Sequence, residues 1–123
     1  MILKDNFFTV EHQNIADDKS VFIINLNSEH FIYKAHFPNN PITPGVCIVQ
    51  IVKELYSYQT NKKFFLNKIK NMKFSHPIIP NEHKQITVKI SSASEDNKTH
   101  KLKVEIINSD ILFTKFNMFL IEL

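Results

Sequence analysis

Alternating apolar and polar residues mark both ends of this chain and predict β-strands there. The first such segment, NFFTVEHQNIADDKSVFIINLNSEH, is rich in Phe, Val and Ile, as half-buried strands are. Asp17-Asp18-Lys19-Ser20 interrupts it, which predicts a hairpin-like pair of strands. The next segment, FIYKAHF, is predicted to be a short extended piece that leads into a stretch rich in proline.

The chain after residue 60 again has the pattern of strands. Its four segments are FFLNKIKNMKFSHPII, KQITVKISSAS, HKLKVEIINSD and ILFTKFNMFLIEL. Residues typical of turns separate them, at Pro80-Asn81-Glu82, Glu95-Asp96-Asn97-Lys98 and Asn108-Ser109-Asp110. ITVKI and KLKVEI alternate strictly, which indicates strands with one face on a core and the other in water.

Between the two strand regions, GVCIVQIVKELYSYQ has the pattern of a helix. Thr43 is expected to be its N-cap and Pro44 its first helical residue. Apolar residues surround the first two turns, and only Lys53, Glu54 and the residues after them are expected to be in water. A helix that is apolar on nearly every side must be enclosed by other elements.

One enclosed helix and about five to seven largely antiparallel strands predict an α+β protein. The sheet has to curl around the helix to cover its apolar surface. That architecture is the hotdog fold, and a chain of 123 residues fits one such domain, residues 1–123.

Charge and composition narrow the classes of partner. The formal net charge is +3, and all fifteen basic residues are Lys. Proteins that read nucleic-acid sequence rely on Arg for bidentate base contacts, so no nucleic-acid partner is expected. No apolar run reaches the ~18 residues that span a bilayer. The lone Cys47 fits a reducing compartment and the N-terminus lacks a signal-peptide pattern, so the predicted location is cytoplasmic.

The only glycine in the chain, Gly45, lies where the helix begins. A helix N-terminus presents unpaired backbone N–H groups, which can stabilise a carbonyl oxygen that gains negative charge. Glycine lets a substrate approach those groups without meeting a Cβ. Gly45 is therefore a candidate oxyanion site, and His36 a candidate base nine residues upstream. On spacing alone an equal alternative stands: Gly45 relieves crowding in a turn and His36 caps a strand.

The stretch HFPNNPITPGVCIVQ, residues 36–50, resembles the signature of the bacterial (3R)-hydroxyacyl-acyl-carrier-protein dehydratases. In that family His-Phe-Pro-Gly-x-Pro, two further residues and Pro-Gly lead into the central helix. LNSEHFIYKAHFP and KIKNMKFSHPIIPNE are also similar, so the likeness covers most of residues 20–90. It implies a hotdog dehydratase that converts a (3R)-hydroxyacyl thioester of acyl carrier protein into the trans-2-enoyl thioester. It also implies at least a homodimer, with sites shared between protomers.

The resemblance assigns roles to individual residues. His36 matches the histidine that removes the α-proton and helps to handle the departing hydroxyl, and Gly45 matches the glycine whose amide binds the thioester carbonyl oxygen. The family has a Glu or Asp that faces the histidine across the dimer interface, and that position is Gln50 here. Phe37, Val46 and Val49 are expected to border the acyl tunnel.

Gln50 is the departure that matters most, because an amide cannot titrate as a carboxylate does. Gln50 can still orient the leaving hydroxyl, with His36 as the single acid–base group. The alternative is a non-catalytic hotdog protein that binds acyl carrier protein, or a partner subunit of a paralogous dehydratase. A thioesterase is a third possibility, disfavoured because the helix offers no carboxylate to activate water. Glu54, one turn further on, is expected to be in water rather than to replace the missing acid.

Two smaller departures, Asn39 and Ala35, stand where the family usually has Gly. Cys47 is expected to pack in the core, and His76, before Pro77, to be structural. The histidines show no metal-ligand spacing, and a chain with one glycine has no Gly-rich phosphate-binding loop, so neither metal nor cofactor is expected. Five lysines follow the helix, and they either dock an acidic carrier protein or form an ordinary solvated face: Lys62, Lys63, Lys68, Lys70 and Lys73.

Overall fold

The computed structural model describes residues 2–94, 96 and 98–123, and these form one short helix, one long helix and a curled antiparallel sheet. The strands are β1 (Phe8–Ile15), β2 (Lys19–Leu26), β3 (Phe64–Phe74), β4 (Gln85–Ser94), β5 (Thr99–Asn108) and β6 (Ile111–Glu122). The helices are α1 (Phe31–Ala35) and α2 (Gly45–Thr60). The strand order is β1-β2-β4-β5-β6-β3 and all pairings are antiparallel, so the predicted hotdog arrangement is confirmed.

The core lies between α2 and the inner face of the sheet. Alternate residues of the central strands point inward, because successive side chains of a strand face opposite sides. They meet the buried face of α2, and large fully buried side chains of these elements include Phe22, Ile24, Ile48, Ile51, Leu55, Ile86, Ile90 and Phe113. β1 and β3 form the two edges of the sheet.

The predicted hairpins agree with the observed turns where the structure describes them. β1 and β2 are joined at residues 16–18, where the Ala16 N–H donates to the Lys19 carbonyl. β5 and β6 are joined by Ser109 and Asp110, and Ser109 has a φ of 49°. In the predicted turn Glu95-Asp96-Asn97-Lys98, Glu95 and Asn97 lie outside the described residues.

The segment before His36 was predicted to be extended, and that prediction is wrong. Residues Phe31–Ala35 form the short helix α1, for which His30 is the N-cap. The His30 Nδ1 accepts a hydrogen bond from the Ile32 N–H at 3.1 Å, and the Tyr33 side chain is buried in the core. A local cap and one buried ring therefore override the alternating pattern.

Helix α2 begins one residue later than predicted. Pro44 is the N-cap and Gly45 the first helical residue. Thr43 is held in the preceding loop instead, because its N–H donates to the Ile78 carbonyl at 2.8 Å and its hydroxyl lies 2.9 Å from the Tyr33 hydroxyl. The helix ends at Thr60, and its C-cap residue Asn61 has the left-handed conformation common at that position.

Two expectations about the surface of α2 are also wrong. Val46 was expected to be enclosed, yet it is 75% exposed in the single chain. Glu54 was expected to be in water, yet it is only 3% exposed. Its burial is possible because backbone N–H groups of Leu3 and Lys4 donate to the carboxylate.

We expect Leu55→Ala to lower the free energy of unfolding by about 2–5 kcal/mol, because Leu55 is fully buried between α2 and the sheet. Urea denaturation measures this change. Val46→Ala is the matched control on the exposed side of the same helix and should cost less than about 0.5 kcal/mol. Equal losses at the two positions would contradict this placement of α2.

Among the described residues, no helix has the length and hydropathy that a membrane crossing requires.

Candidate active site

A cavity of about 330 Å³ opens at the N-terminus of α2. His36 and Gly45 both line it, so the structure brings the candidate base and the candidate oxyanion site together. The remaining lining residues come from the loop before α2 and from the end of β3 and the turn after it: Ile42, Thr43, Pro44, Phe74, Ser75, His76, Pro77 and Ile78.

Backbone hydrogen bonds fix the loop that joins His36 to Gly45. The His36 N–H donates to the Ile32 carbonyl at the end of α1, and the His36 carbonyl accepts from the Ile42 N–H at 3.1 Å. Phe37 and Asn40 exchange two backbone hydrogen bonds within this loop. Asn39 has a φ of 65°, the left-handed conformation for which the family uses Gly and which Asn tolerates.

The His36 ring is half-buried and stacks on the ring of Phe37, with 4.0 Å between centroids. Its Nδ1 is buried and has no hydrogen-bond partner among the described residues. Buried polar atoms are normally paired, and an unpaired one at a functional site calls for a ligand or a proton-transfer role. The unpaired Nδ1 therefore marks His36 as a candidate to engage a ligand or a proton.

Gly45 is the first residue of α2, so its N–H has no acceptor within the helix. A Cβ at this position would lie 3.3 Å from Phe74 Cε2, which is tighter than ordinary packing. Both interpretations of the glycine therefore have structural support: Gly45 lines the cavity that a substrate would enter, and it relieves crowding against Phe74.

Gln50 lies in a different place from His36 within the single chain. It lines a separate groove of about 500 Å³ along the second half of α2. Lys53, Glu54, Lys62 and Lys63 also line this groove. The Gln50 Nε2 donates to Glu54 Oε2 at 2.8 Å.

None of the three predicted tunnel residues lines the His36 cavity of its own chain. Phe37 is 48% exposed and Val46 75% exposed, whereas Val49 packs into the core. Their contact with an acyl chain stays a prediction.

The sequence interpretation missed His76 as a cavity residue. The N–H groups of Ser75 and His76 donate to the Phe113 carbonyl at 2.7 and 3.3 Å, which anchors the bend after β3 to β6. The bend was predicted, but His76 was not expected to line the same cavity as His36, which it does. A histidine directly before a proline at the end of a strand was the available signal.

Two other ionisable groups near the start of α2 are kept neutral. Burial raises the pKa of Tyr33 to about 12, so its hydroxyl stays protonated beside Thr43. Burial also raises the pKa of the Cys47 thiol, which packs in the core as predicted. Neither group is suited to act as a nucleophile at neutral pH. In the described part of the chain, no three His, Cys, Asp or Glu side chains are grouped closely enough to hold a metal ion.

Comparison with protein families matches residues 11–113 to the ApeI-like model, described as ApeI dehydratase. This chain belongs to the ApeI-like dehydratase family. The resemblance to dehydratases seen in the sequence is therefore confirmed, and the cavity of His36 and Gly45 lies within the matched region.

A curated relative of this ApeI-like chain is the 3-hydroxyacyl-[acyl-carrier-protein] dehydratase FabZ of Geobacter metallireducens. The two are 31% identical over 88 residues, which are 64% of this chain and 57% of that protein. The chain spans about half the length of the curated relatives it matches.

Solved structures confirm the hotdog fold of the ApeI-like chain. The dehydratase heterocomplex ApeI:P from Xenorhabdus doucetiae matches with a TM-score of 0.72 at 18% identity, over 91% of this chain and 96% of that one. A thioesterase from Staphylococcus aureus matches with a TM-score of 0.66 at 14% identity, over 94% and 92%. Identities this low show the fold alone, because dehydratases and thioesterases share it.

Proposed function

We propose that this protein eliminates water from a (3R)-hydroxyacyl thioester of acyl carrier protein and releases the trans-2-enoyl thioester. The observation that supports it best is the shared cavity, which His36 and Gly45 line together at the start of α2. Membership of the dehydratase family supports the reaction class.

The proposed step uses one base and one hydrogen-bond donor. The His36 imidazole removes the proton from C2, and the Gly45 N–H stabilises the negative charge that develops on the thioester oxygen. The electron pair then forms the C2–C3 double bond and expels the hydroxyl from C3. The protonated His36 returns its proton to that hydroxyl, so water leaves and the imidazole is restored.

Gln50 enters this proposal from a second copy of the chain. In its own chain it lines a separate groove, so it meets a His36 cavity only across an interface between two subunits. The edge strand β3 supports a homodimer, since an unpaired strand edge can pair with another chain and Phe74 of this strand lines the cavity. A paralogous hotdog chain is the alternative partner.

Four of the five lysines after α2 divide into two sets. Lys62 and Lys63 line the Gln50 groove together with Lys53, and we propose that they attract the acidic carrier protein. Lys68 and Lys70 instead lie over the Phe119 ring, at 4.7 and 5.6 Å from its centroid. For Lys68 and Lys70 we favour the alternative that they form an ordinary solvated face of a strand.

Purified protein given crotonyl and 3-hydroxybutyryl thioesters tests the proposal. Reversible hydration and dehydration would support it. Release of free thiol would indicate a thioesterase, and binding without reaction would indicate an acyl-binding or partner subunit. Crotonyl thioesters of coenzyme A and of acyl carrier protein, compared at equal concentration, test the use of the carrier.

Gly45→Ala is expected to lower kcat about tenfold or more, because the added Cβ would narrow the cavity between Gly45 and Phe74 through which a substrate reaches the amide. Steady-state hydration of a crotonyl thioester measures this loss. The double variant Gly45→Ala/Phe74→Leu removes the 3.3 Å crowding and separates the two interpretations. If the double variant regained wild-type kcat, Gly45 would serve packing alone.

A further inference from the structure

Glu54 is a buried carboxylate that the proposed reaction leaves without a role. It is 3% exposed and accepts hydrogen bonds from two directions. On one side, the Leu3 N–H donates to both oxygens at 3.0 and 2.9 Å, and the Lys4 N–H donates to Oε1 at 2.8 Å. On the other side, the Gln50 Nε2 donates to Oε2 at 2.8 Å.

This arrangement fixes which end of the Gln50 amide faces the groove. Both Glu54 oxygens act as acceptors for the backbone N–H groups of Leu3 and Lys4, so the amide must turn its NH₂ group toward Glu54. The reverse orientation would place two acceptor oxygens 2.8 Å apart with no proton between them. With Nε2 engaged, the carbonyl oxygen Oε1 is the end that remains for the groove, which Gln50 lines.

The backbone segment that donates to Glu54 is itself held by burial and hydrogen bonds. Leu3 is buried in the core cluster, and its carbonyl accepts from the N–H groups of Asn6, Phe7 and Phe8. The two backbone donors on Glu54 are therefore held by a segment that is itself anchored. Glu54 in turn is one helical turn from Gln50, the spacing at which side chains of a helix meet.

We propose that Glu54 is a positioning residue that holds the Gln50 amide with Oε1 toward the groove as a fixed hydrogen-bond acceptor. The catalytic consequence of this inference rests on the proposed function. In that reaction, Gln50 Oε1 accepts a hydrogen bond from the substrate hydroxyl, or from the attacking water in the reverse direction. It orients that group without supplying a proton, which leaves His36 as the acid–base group. The ligand group it selects is a hydroxyl donor, not a carbonyl acceptor.

Glu54→Gln tests this assignment with little change in shape. Its oxygen can keep the Leu3 and Lys4 donors, so its NH₂ faces Gln50, and the Gln50 amide must turn over to meet it. We expect kcat for hydration of a crotonyl thioester to fall about tenfold. In the Gln50→Ala background the same change should have no further effect on kcat, because Glu54 acts through Gln50.

A readout that does not need activity is the side-chain amide spectrum of Gln50 in ¹H–¹⁵N NMR, identified by its loss in Gln50→Ala. Wild type should show one amide proton shifted downfield and protected from exchange, and Glu54→Gln should lose that signature. Glu54→Asp keeps a carboxylate and should partly restore both kcat and the spectrum. Glu29→Gln, at an exposed position, is the control that should change neither.

The outcomes separate the two proposals. Additive losses of kcat in Glu54→Gln and Gln50→Ala, or an unshifted Gln50 amide in wild type, would overturn the positioning role. A wild-type protein that shows the shifted amide but no hydration of any thioester would refute the proposed function and leave the positioning role intact.

Discussion

Replacing His36 with alanine is expected to lower kcat for hydration of a crotonyl thioester by about 10²–10⁴-fold, the usual contribution of one general acid–base group. The upper part of this range applies here, because the same imidazole both removes the α-proton and returns a proton to the hydroxyl. Among the described residues the half-buried ring stacks on Phe37 and makes no hydrogen bond through Nδ1, so its removal should cost the fold little.

His12→Ala is the matched control, since His12 is exposed on β1 and lies outside the cavity. It should leave kcat within about twofold of wild type, consistent with the small effects of exposed substitutions. Thermal unfolding of both variants shows whether the fold is intact. A folded His36→Ala protein that retained a tenth or more of wild-type kcat would exclude His36 as the base.

The second large expected effect is an increase in kcat. Gln50→Glu should raise kcat about tenfold or more, because the introduced carboxyl can give a proton to the leaving hydroxyl. That carboxyl would lie where Nε2 now stands, 2.8 Å from Glu54 Oε2. A like charge so close disfavours ionisation and raises the pKa of the introduced group, which keeps it protonated nearer to neutral pH.

The increase in kcat of Gln50→Glu should depend on pH in a defined direction. An acid acts in its protonated form, so the gain should be largest below the raised pKa and should fade as the pH increases through it. The double variant Gln50→Glu/Glu54→Gln removes the neighbouring charge and should lower the pKa of the introduced carboxyl. The increase in kcat should then disappear at a lower pH. Unchanged or reduced kcat in Gln50→Glu across the pH range would contradict a place for Gln50 beside the leaving hydroxyl.

The elements that the sequence predicted correctly are those whose signal lies in neighbouring residues. Strict alternation in ITVKI and KLKVEI places them in β4 and β5 of the sheet. The apolar run after Gly45 predicts a buried helix, and Ile48, Ile51 and Leu55 are in the core. Hydrophobic periodicity reports directly on which face of an element is covered.

Two of the errors arise where residues distant in the sequence determine the structure. Glu54 can be buried because the N–H groups of Leu3 and Lys4 donate to its carboxylate, and these residues lie about fifty positions earlier in the sequence. The start of α2 shifts by one residue because Ile78 and Tyr33 hold Thr43 in the loop. No local pattern encodes such hydrogen bonds, so propensity alone assigned both features incorrectly.

The same distinction between local and distant signals applies to the residues of the candidate site. His36 and Gly45 belong to one short motif, and the loop between them brings both to one cavity. His76 reaches that cavity only through the pairing of β3 with β6, which the sequence does not display. Gln50 belongs to the motif but lies in another groove, because α2 carries it past the cavity.

A crystal structure with a crotonyl-pantetheine amide, a stable analogue of the thioester substrate, tests the central claim most directly. We predict that its carbonyl oxygen accepts a hydrogen bond from the Gly45 N–H while C2 lies beside the His36 ring. An analogue bound elsewhere, with the His36 ring directed away from it and the Gly45 amide without a ligand, would contradict the proposed catalytic role of this cavity.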